Sequence, residues 1–262
     1  MPVSNYQDDL QLLEDVAREA GDLSLRYWKQ SPEAWNKPAD AGPVSEADLA
    51  VNDFLEARLR GARPDYGWLS EESVDSTERL ENERVFIIDP IDGTRAFLNE
   101  DPGFGQAIAV VENGRVVAGV VHMPALALTY TATADGPALL NGTPIRPSNA
   151  TRIRGATVLT SKFSDDPGIW LNGFPGYKRS LRPSMAWRLC LVAEGRFDAT
   201  ISMRKSWEWD VAAASLIAER AGVTVTNRLG EPFGFNRPEC QEDGLVVAPP
   251  ELHADFMAQL RN

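Results

Sequence analysis

Between Asp8 and Trp28, Leu13, Val16, Ala17, Ala20, Leu23 and Tyr27 recur at steps of three and four residues, an apolar stripe that predicts an amphipathic helix. A loop rich in Pro, Gly and Asp follows from Ser31 to Pro43. A second helix is expected to start near Ser45. There Ser45-Glu46-Ala47-Asp48 sets a carboxylate three positions after a hydroxyl, and the helix should stop near Gly61, with Pro64 beyond. Val85-Phe86-Ile87-Ile88 is mostly β-branched or aromatic and ends at Asp89-Pro90, so it reads as a buried strand. Ala107 to Val111 and Val116 to Val121 flank Asn113-Gly114 and predict a hairpin. A further strand is expected at Leu128 to Thr133, and Gly and Pro mark loops from Gly136 to Ser148. Thr157 to Thr160 opens a second half as a strand, and Met185 to Glu194 reads as a helix stopped by Gly195. Val211 to Ala221 is Ala-rich and apolar almost all round, which predicts a helix buried on most faces with Gly222 as its cap. Val223 to Thr226 and Leu245 to Ala248 read as strands, and Glu251 to Arg261 as a closing helix. Strands and helices alternate in both halves without a repeat. The pattern predicts a layered α/β protein with a boundary near residues 148 to 155, dividing it into 1–150 and 151–262.

Composition narrows the classes. The 262 residues are 43% hydrophobic and 24% charged, enough for a sizeable core without disulfides or structural metals. Asp and Glu number 38 against 26 Lys and Arg, a net charge of −12 that repels nucleic acid and anionic membranes. It does not exclude an anionic substrate, because bound divalent cations invert the local sign. The chain has no run of 18 apolar residues, and Met1 to Leu10 has neither a basic nor an apolar leader region. Cys190 and Cys240 cannot form a disulfide framework and are read as reduced thiols of a cytoplasmic protein, Cys190 as core. His122 and His253 are far from each other and from other candidate ligands, which argues against a His-based zinc site or a two-His catalytic pair.

Candidate chemistry concentrates in carboxylates. Asp89-Pro90-Ile91-Asp92-Gly93-Thr94 places two of them at the end of a buried strand, the edge at which α/β folds bind ligands. If Thr94 to Leu98 starts a helix, the N–H groups of Gly93 and Thr94 favour an anion such as phosphate. Carboxylates beside an anion site call for a cation between them, and oxygen-only ligands favour Mg²⁺, then Mn²⁺ or Ca²⁺. Leu69-Ser70-Glu71-Glu72-Ser73 adds a Glu pair after a short apolar run, alone no more than a solvated loop. Trp207-Glu208-Trp209-Asp210 precedes the buried helix, where Asp210 can be read simply as its N-cap. Asp48 can likewise be only a capping carboxylate.

Taken together, Pro43-Val44-Ser45-Glu46-Ala47-Asp48, Glu71-Glu72-Ser73, Asp89 to Thr94 and Trp209-Asp210-Val211-Ala212-Ala213 resemble the inositol monophosphatase superfamily of Mg²⁺-dependent, lithium-sensitive phosphatases, over nearly the whole chain. Ala214 departs from the Gly common in relatives, a matter of helix packing. The resemblance implies a layered αβαβα sandwich of the inositol monophosphatase type, with residues 1–150 carrying most metal ligands and 151–262 completing the site with Asp210. It implies that Glu71, Asp89 and the Ile91 carbonyl hold one ion and that Asp89, Asp92 and Asp210 hold a second. A third, looser ion would touch the Glu71 side through water, making two or three Mg²⁺ ions in all. Asp48 and Thr94 would orient and deprotonate the attacking water. Two ions roughly 4 Å apart bind nucleophile and phosphate oxygens and neutralise the leaving oxygen, with no covalent intermediate. The catalytic set so implied is Asp48, Thr94 and Glu71, acting on a small-molecule phosphomonoester, in a protein that binds neither nucleic acid nor membrane and for which a homodimer is one arrangement.

The substrate is read from cations. Inositol-specific relatives place a Glu several residues before Trp-Asp, whereas Ile201 to Ser206 here holds no carboxylate and two cations, Arg204 and Lys205. Arg95 follows Thr94, and Cys190-Leu191-Val192-Ala193-Glu194-Gly195 resembles the bacterial 3'(2'),5'-bisphosphate nucleotidases of CysQ type. The expected substrate-binding set is therefore Gly93, Thr94, Arg95, Arg204 and Lys205, acting on adenosine 3',5'-bisphosphate. The alternatives are an inositol-1-monophosphatase, a histidinol-phosphatase, or a non-enzymatic regulator bound to the transcription machinery. A pure binding module would not need all five ligands.

Overall fold

The computed structural model describes residues 6–38 and 42–261. The readings made on Met1 to Leu10 and on the loop Ser31 to Pro43 fall partly outside them, at 1–5 and 39–41. Helix α1 is Tyr6–Tyr27, and strands β1 (Ala34–Asn36) and β2 (Pro43–Ser45) form a small antiparallel ladder before α2 (Glu46–Ala62). Then come β3 (Gly67–Ser70), β4 (Arg84–Asp92), the short α3 (Thr94–Leu98), β5 (Gly105–Glu112), β6 (Arg115–Met123), β7 (Leu128–Thr133), β8 (Leu139–Leu140) and β9 (Thr143–Pro144). The second half holds β10 (Thr157–Leu159), β11 (Lys178–Ser180), α4 (Met185–Ala193), β12 (Ala199–Ser202), β13 (Ser206–Trp207), α5 (Glu208–Ala221), β14 (Thr224–Thr226), β15 (Gln241–Glu242), β16 (Leu245–Ala248) and α6 (Pro250–Gln259).

A seven-stranded sheet runs β3-β4-β5-β6-β7-β8-β9, and a five-stranded sheet runs β11-β10-β12-β16-β14. The apolar run in β4 is continuous because both of its faces are covered. Phe86 and Ile88 pack with Leu13, Val16 and Ala17 of α1 and Val51 and Leu55 of α2, while Val85 and Ile87 pack with α4 and α5. β16 splits in the same way: Leu245 and Val247 face α4 and α5, and Val246 and Ala248 face Leu252 and Phe256 of α6. The layers are thus α1/α2, large sheet, α4/α5, smaller sheet and α6, the expected αβαβα sandwich. Because α5 lies between two sheets it is nearly all apolar and small. A Cβ on Gly119 of β6 would come within 2.9 Å of the Ala213 carbonyl oxygen, so Gly and Ala permit this close approach. The apolar cluster around α4 and α5 draws residues from both sides of position 150.

Two elements differ from expectation where the site is built. β4 does not end at Asp89-Pro90 but continues to Asp92, and its pairing with β5 slips between Asp89 and Asp92. Pro90 cannot donate a ladder hydrogen bond, and the irregularity accommodates it. Gly93, at φ 101°, then turns the chain directly into α3. The N-cap of α5 is Trp207 rather than Asp210. Asp210 occupies the third helical position, its carboxylate accepting the Trp207 N–H at 3.4 Å.

Candidate metal centre

Three carboxylates from distant parts of the chain converge at the edge of the large sheet. Glu71 follows β3, Asp89 lies in β4 and Asp210 lies in the first turn of α5; one oxygen of each falls within 4.8 Å of the others. The Ile91 N–H donates to Asp89 Oδ1 at 3.0 Å, which sets that carboxylate's orientation. Burial raises the pKa of Asp89 well above the ordinary value, and Glu71, Asp92 and Asp210 add repulsion. Asp210 is raised for the same reasons, first by burial and then by Asp92 and Glu71. Carboxylates packed together this way seek a proton or a cation. A cation is already drawn in: Lys37 Nζ donates to Glu71 Oε1 and Glu72 Oε1, both at 2.7 Å. Burial alone would lower the Lys37 pKa, but Glu71 and Glu72 outweigh it and the net direction is up. The donor set is oxygen only, as a hard divalent ion requires. His122 and His253 take no part: each is buried and bonded to a threonine hydroxyl, Thr129 and Thr226 respectively. Cys190 and Cys240 are unpaired, buried thiols.

Asp92 stands outside the triangle of Glu71, Asp89 and Asp210. Its Oδ2 accepts Ser184 Oγ and the Ala186 N–H, both at 2.6 Å, and its Oδ1 accepts the Met185 N–H at 3.1 Å. Burial pushes its pKa up to about 6 despite those hydrogen bonds. Asp92 therefore ties the end of β4 to the start of α4, and Oδ1 keeps one lone pair free.

The Asp48–Thr94 pair is formed. Thr94 Oγ1 lies 3.0 Å from Asp48 Oδ1 and 3.2 Å from the Ile91 carbonyl, while Asp48 Oδ2 accepts the Ser45 N–H at 2.8 Å and Ser45 Oγ at 2.6 Å. Asp48 is thus both the capping carboxylate of α2 and the partner of Thr94. Burial raises its pKa, opposed by the Ser45 and Thr94 hydrogen bonds.

The candidate substrate cations are spread more widely. Arg95 is exposed on α3, and its guanidinium is 4.0 Å from where a Cβ on Gly42 would stand. Arg204 is exposed and its guanidinium lies over the Phe163 ring, 5.6 Å from the centroid; Lys205 is exposed with Asp243 among the charges near it. Sequence reasoning missed two cations that the fold brings to the carboxylates. One is Lys37. The other is Arg188 on α4, whose guanidinium donates to the Arg182 and Pro183 carbonyls and is acted on by Asp92 and Asp210. Arg188 stands one helical turn after Ser184, the cap of α4 that also binds Asp92, and that spacing is the signal that could have found it.

No helix among the described residues is long and apolar enough to cross a membrane. A family model described as the inositol monophosphatase family matches residues 5–262. The histidinol-phosphatase of Chlorobaculum parvum is 33% identical over 266 aligned positions, covering 97% of each chain. The fructose-1,6-bisphosphatase/inositol-1-monophosphatase of Thermotoga maritima is 31% identical over 234 residues, 88% of this chain and 90% of that protein. The 3'(2'),5'-bisphosphate nucleotidase CysQ of Escherichia coli K12 is 30% identical over 229 residues, 86% of this chain and 92% of that protein. Among solved structures, the IMPase of Thermotoga maritima superposes with a TM-score of 0.84 at 27% identity, over 96% of each chain. With the acidic cluster at the same motifs that carried the resemblance, the chain belongs to the inositol monophosphatase family and is a phosphatase of phosphomonoesters.

Proposed function

We propose that Glu71, Asp89 and Asp210 hold Mg²⁺ and that the protein hydrolyses a phosphomonoester by direct attack of water. The observation that supports this most strongly is the carboxylate triangle, with oxygens within 4.8 Å of one another, around a buried Asp89 and half-buried Glu71 and Asp210 whose charges repel. The Ile91 carbonyl and the free lone pair of Asp92 Oδ1 would add donors for a second ion, and Glu71 would serve a third through water. When bound, the ions neutralise phosphate charge and lower the pKa of water. The chain's own part is proton handling and orientation. The Thr94 hydroxyl donates to Asp48 and offers its lone pairs to a water; Asp48, its basicity raised by burial, takes the proton through that hydroxyl. Ser45 holds the other Asp48 oxygen, so the acceptor does not rotate away. Glu71, in the turn after β3, and Asp210, in the first turn of α5, would hold the ions from separate segments of the chain.

For the substrate we retain adenosine 3',5'-bisphosphate. Arg188 adds a cation beside Asp92 and Asp210, and Arg95, Arg204 and Lys205 supply an outer rim, with Gly93 and Thr94 at the reacting phosphate. Inositol 1-phosphate and histidinol phosphate are the other arms of one experiment: phosphate release over a panel of phosphomonoesters, in Mg²⁺ and after chelation. Chelation should abolish release and Mg²⁺ restore it. The bisphosphate should show the highest kcat/KM, and changing Arg204 and Lys205 to Ala should raise KM for it alone. Full activity in chelator refutes the metal reading. A higher kcat/KM on inositol 1-phosphate or histidinol phosphate refutes the nucleotide reading.

A further inference from the structure

We propose that Arg79 is a positioning residue that holds the Glu71 loop against the start of α5, so that Glu71 and Asp210 present their carboxylates to one metal centre. The proposal rests on the reading of Glu71 and Asp210 as ligands of one metal centre.

Glu71 and Asp210 arrive from opposite halves of the chain, and something must hold the two segments in register. Arg79 lies in a 3₁₀ turn, Thr77–Glu81, and is 3% exposed. On one side its Nε and Nη2 grip both oxygens of Asp75, at 2.7 and 3.0 Å, four residues after Glu71. On the other side Nη1 donates to Asn236 Oδ1 at 2.6 Å and Nη2 to the Arg237 carbonyl at 3.0 Å, with Cys240 Sγ 2.8 Å from Nη2. Asn236 returns a hydrogen bond from Nδ2 to the Arg79 carbonyl, at 3.2 Å. The N–H groups of Asn236 and Arg237 in turn donate to the fully buried carboxylate of Glu208, at 2.7 and 3.1 Å, and the Glu208 N–H donates to the Cys240 carbonyl at 2.9 Å. Glu208 is the first residue of α5, two before Asp210. A continuous polar path therefore runs from the loop of Glu71 through Arg79 to the helix start that carries Asp210. Among the described residues, every hydrogen bond between 71–81 and 204–242 involves Arg79 or the Cys240–Asp75 contact.

The ion pair with Asp75, whose side chain is 39% exposed, contributes little net stability, because solvent screens it. What a planar guanidinium with several fixed acceptors does supply is geometry. Metal ligands need that geometry: groups behind the ligands are commonly worth 10–100-fold in affinity (about one to two decades). The path continues locally on the Glu71 side, where Ser73 Oγ accepts Trp68 Nε1 at 2.9 Å and Asn52 Nδ2 at 3.2 Å. The loop is thus pinned at its middle by those bonds and at its far end by Arg79.

The test measures Mn²⁺ binding by calorimetry on the wild type, Arg79→Met, Arg79→Lys, Asn236→Ala and Asp210→Asn, with folding checked by circular dichroism at the same temperature. Arg79→Met should weaken Mn²⁺ binding about tenfold, the low end for a group that acts through another. Arg79→Lys, with one ammonium in place of the fork, should lie between, and Asn236→Ala should shift the same way by a smaller factor. Folded Arg79→Met and Asn236→Ala that bind Mn²⁺ as the wild type does, with only a lower Tm, would overturn the positioning role. If Arg79→Met fails to fold, Arg79→Lys and Asn236→Ala decide by the same criterion. A wild type that binds no Mn²⁺, or an Asp210→Asn that binds it equally well, overturns the metal-centre reading, and this proposal with it.

Discussion

Replacing Thr94 by Val keeps the shape of the side chain and exchanges its hydroxyl for a methyl. In the wild type Asp48 accepts three hydrogen bonds, from the Ser45 N–H, Ser45 Oγ and Thr94 Oγ1. Thr94→Val leaves the two from Ser45 and removes the one on Oδ1, at a carboxylate that is 1% exposed. A hydrogen bond to a charged group contributes about 1.5–3 kcal/mol, so that is the expected loss of stability. Against a typical total of about 5–15 kcal/mol the variant stays folded at assay temperature. The catalytic loss is larger. A positioned proton relay contributes roughly 10²–10⁴ in kcat, or about 3–5 kcal/mol of barrier. Unfolding of a small fraction cannot imitate a loss of two decades. Thr94→Ser retains the hydroxyl and loses only a methyl, about 0.8 kcal/mol of burial, so it should keep most of the activity. Phosphate release at saturating Mg²⁺ and substrate, with a thermal melt of each sample, separates the two effects. Thr94→Val within a fewfold of wild-type kcat would refute the relay. Thr94→Ser as inactive as Thr94→Val would show that packing, not the hydroxyl, matters here.

Asp210→Asn should fold, because Asn can still accept the Trp207 N–H at the third helical position, but it removes a charge from the triangle. We expect phosphatase activity near zero and weakened Mg²⁺ binding by calorimetry; near-wild-type turnover would remove Asp210 from the metal centre. Burial lowers the His122 pKa from 6.5 to about 4, so the folded protein keeps this ring neutral while the unfolded chain protonates it. Stability is then fully present above pH 6.5 and is lost as pH falls towards 4, by about 3 kcal/mol. His122→Gln should flatten that acid limb of the Tm–pH curve, and an unchanged slope would assign the limb to other groups.

Much of the architecture was legible because it depends on local pattern. The stripe of α1 follows from apolar residues at helical steps, and the strand character of Val85 to Ile88 from β-branched and aromatic side chains in an unbroken run. The Asn113-Gly114 turn set the hairpin of β5 and β6 and Gly222 the end of α5, since Asn113 at φ 50° and Gly222 at φ 101° adopt left-handed backbone that few other residues favour. The candidate site was legible in its members, because Asp89, Asp92 and Thr94 stand within one short segment, Glu71 directly follows β3 and Asp210 lies in the first turn of α5. Tertiary structure decided how those members are used. Whether Asp92 faces the cluster or the amides of α4 depends on where a helix 93 residues later begins. The guanidinium of Arg79 meets Asn236 only when two loops 157 residues apart are folded together. Lys37, directly after β1, meets Glu71 34 residues later in the chain, and Arg188 reaches the site because α4 lies between the sheets. Composition and periodicity report how each segment buries its own apolar face. Polar contacts between distant segments carry no periodicity, so only the packed chain determines which charge meets which.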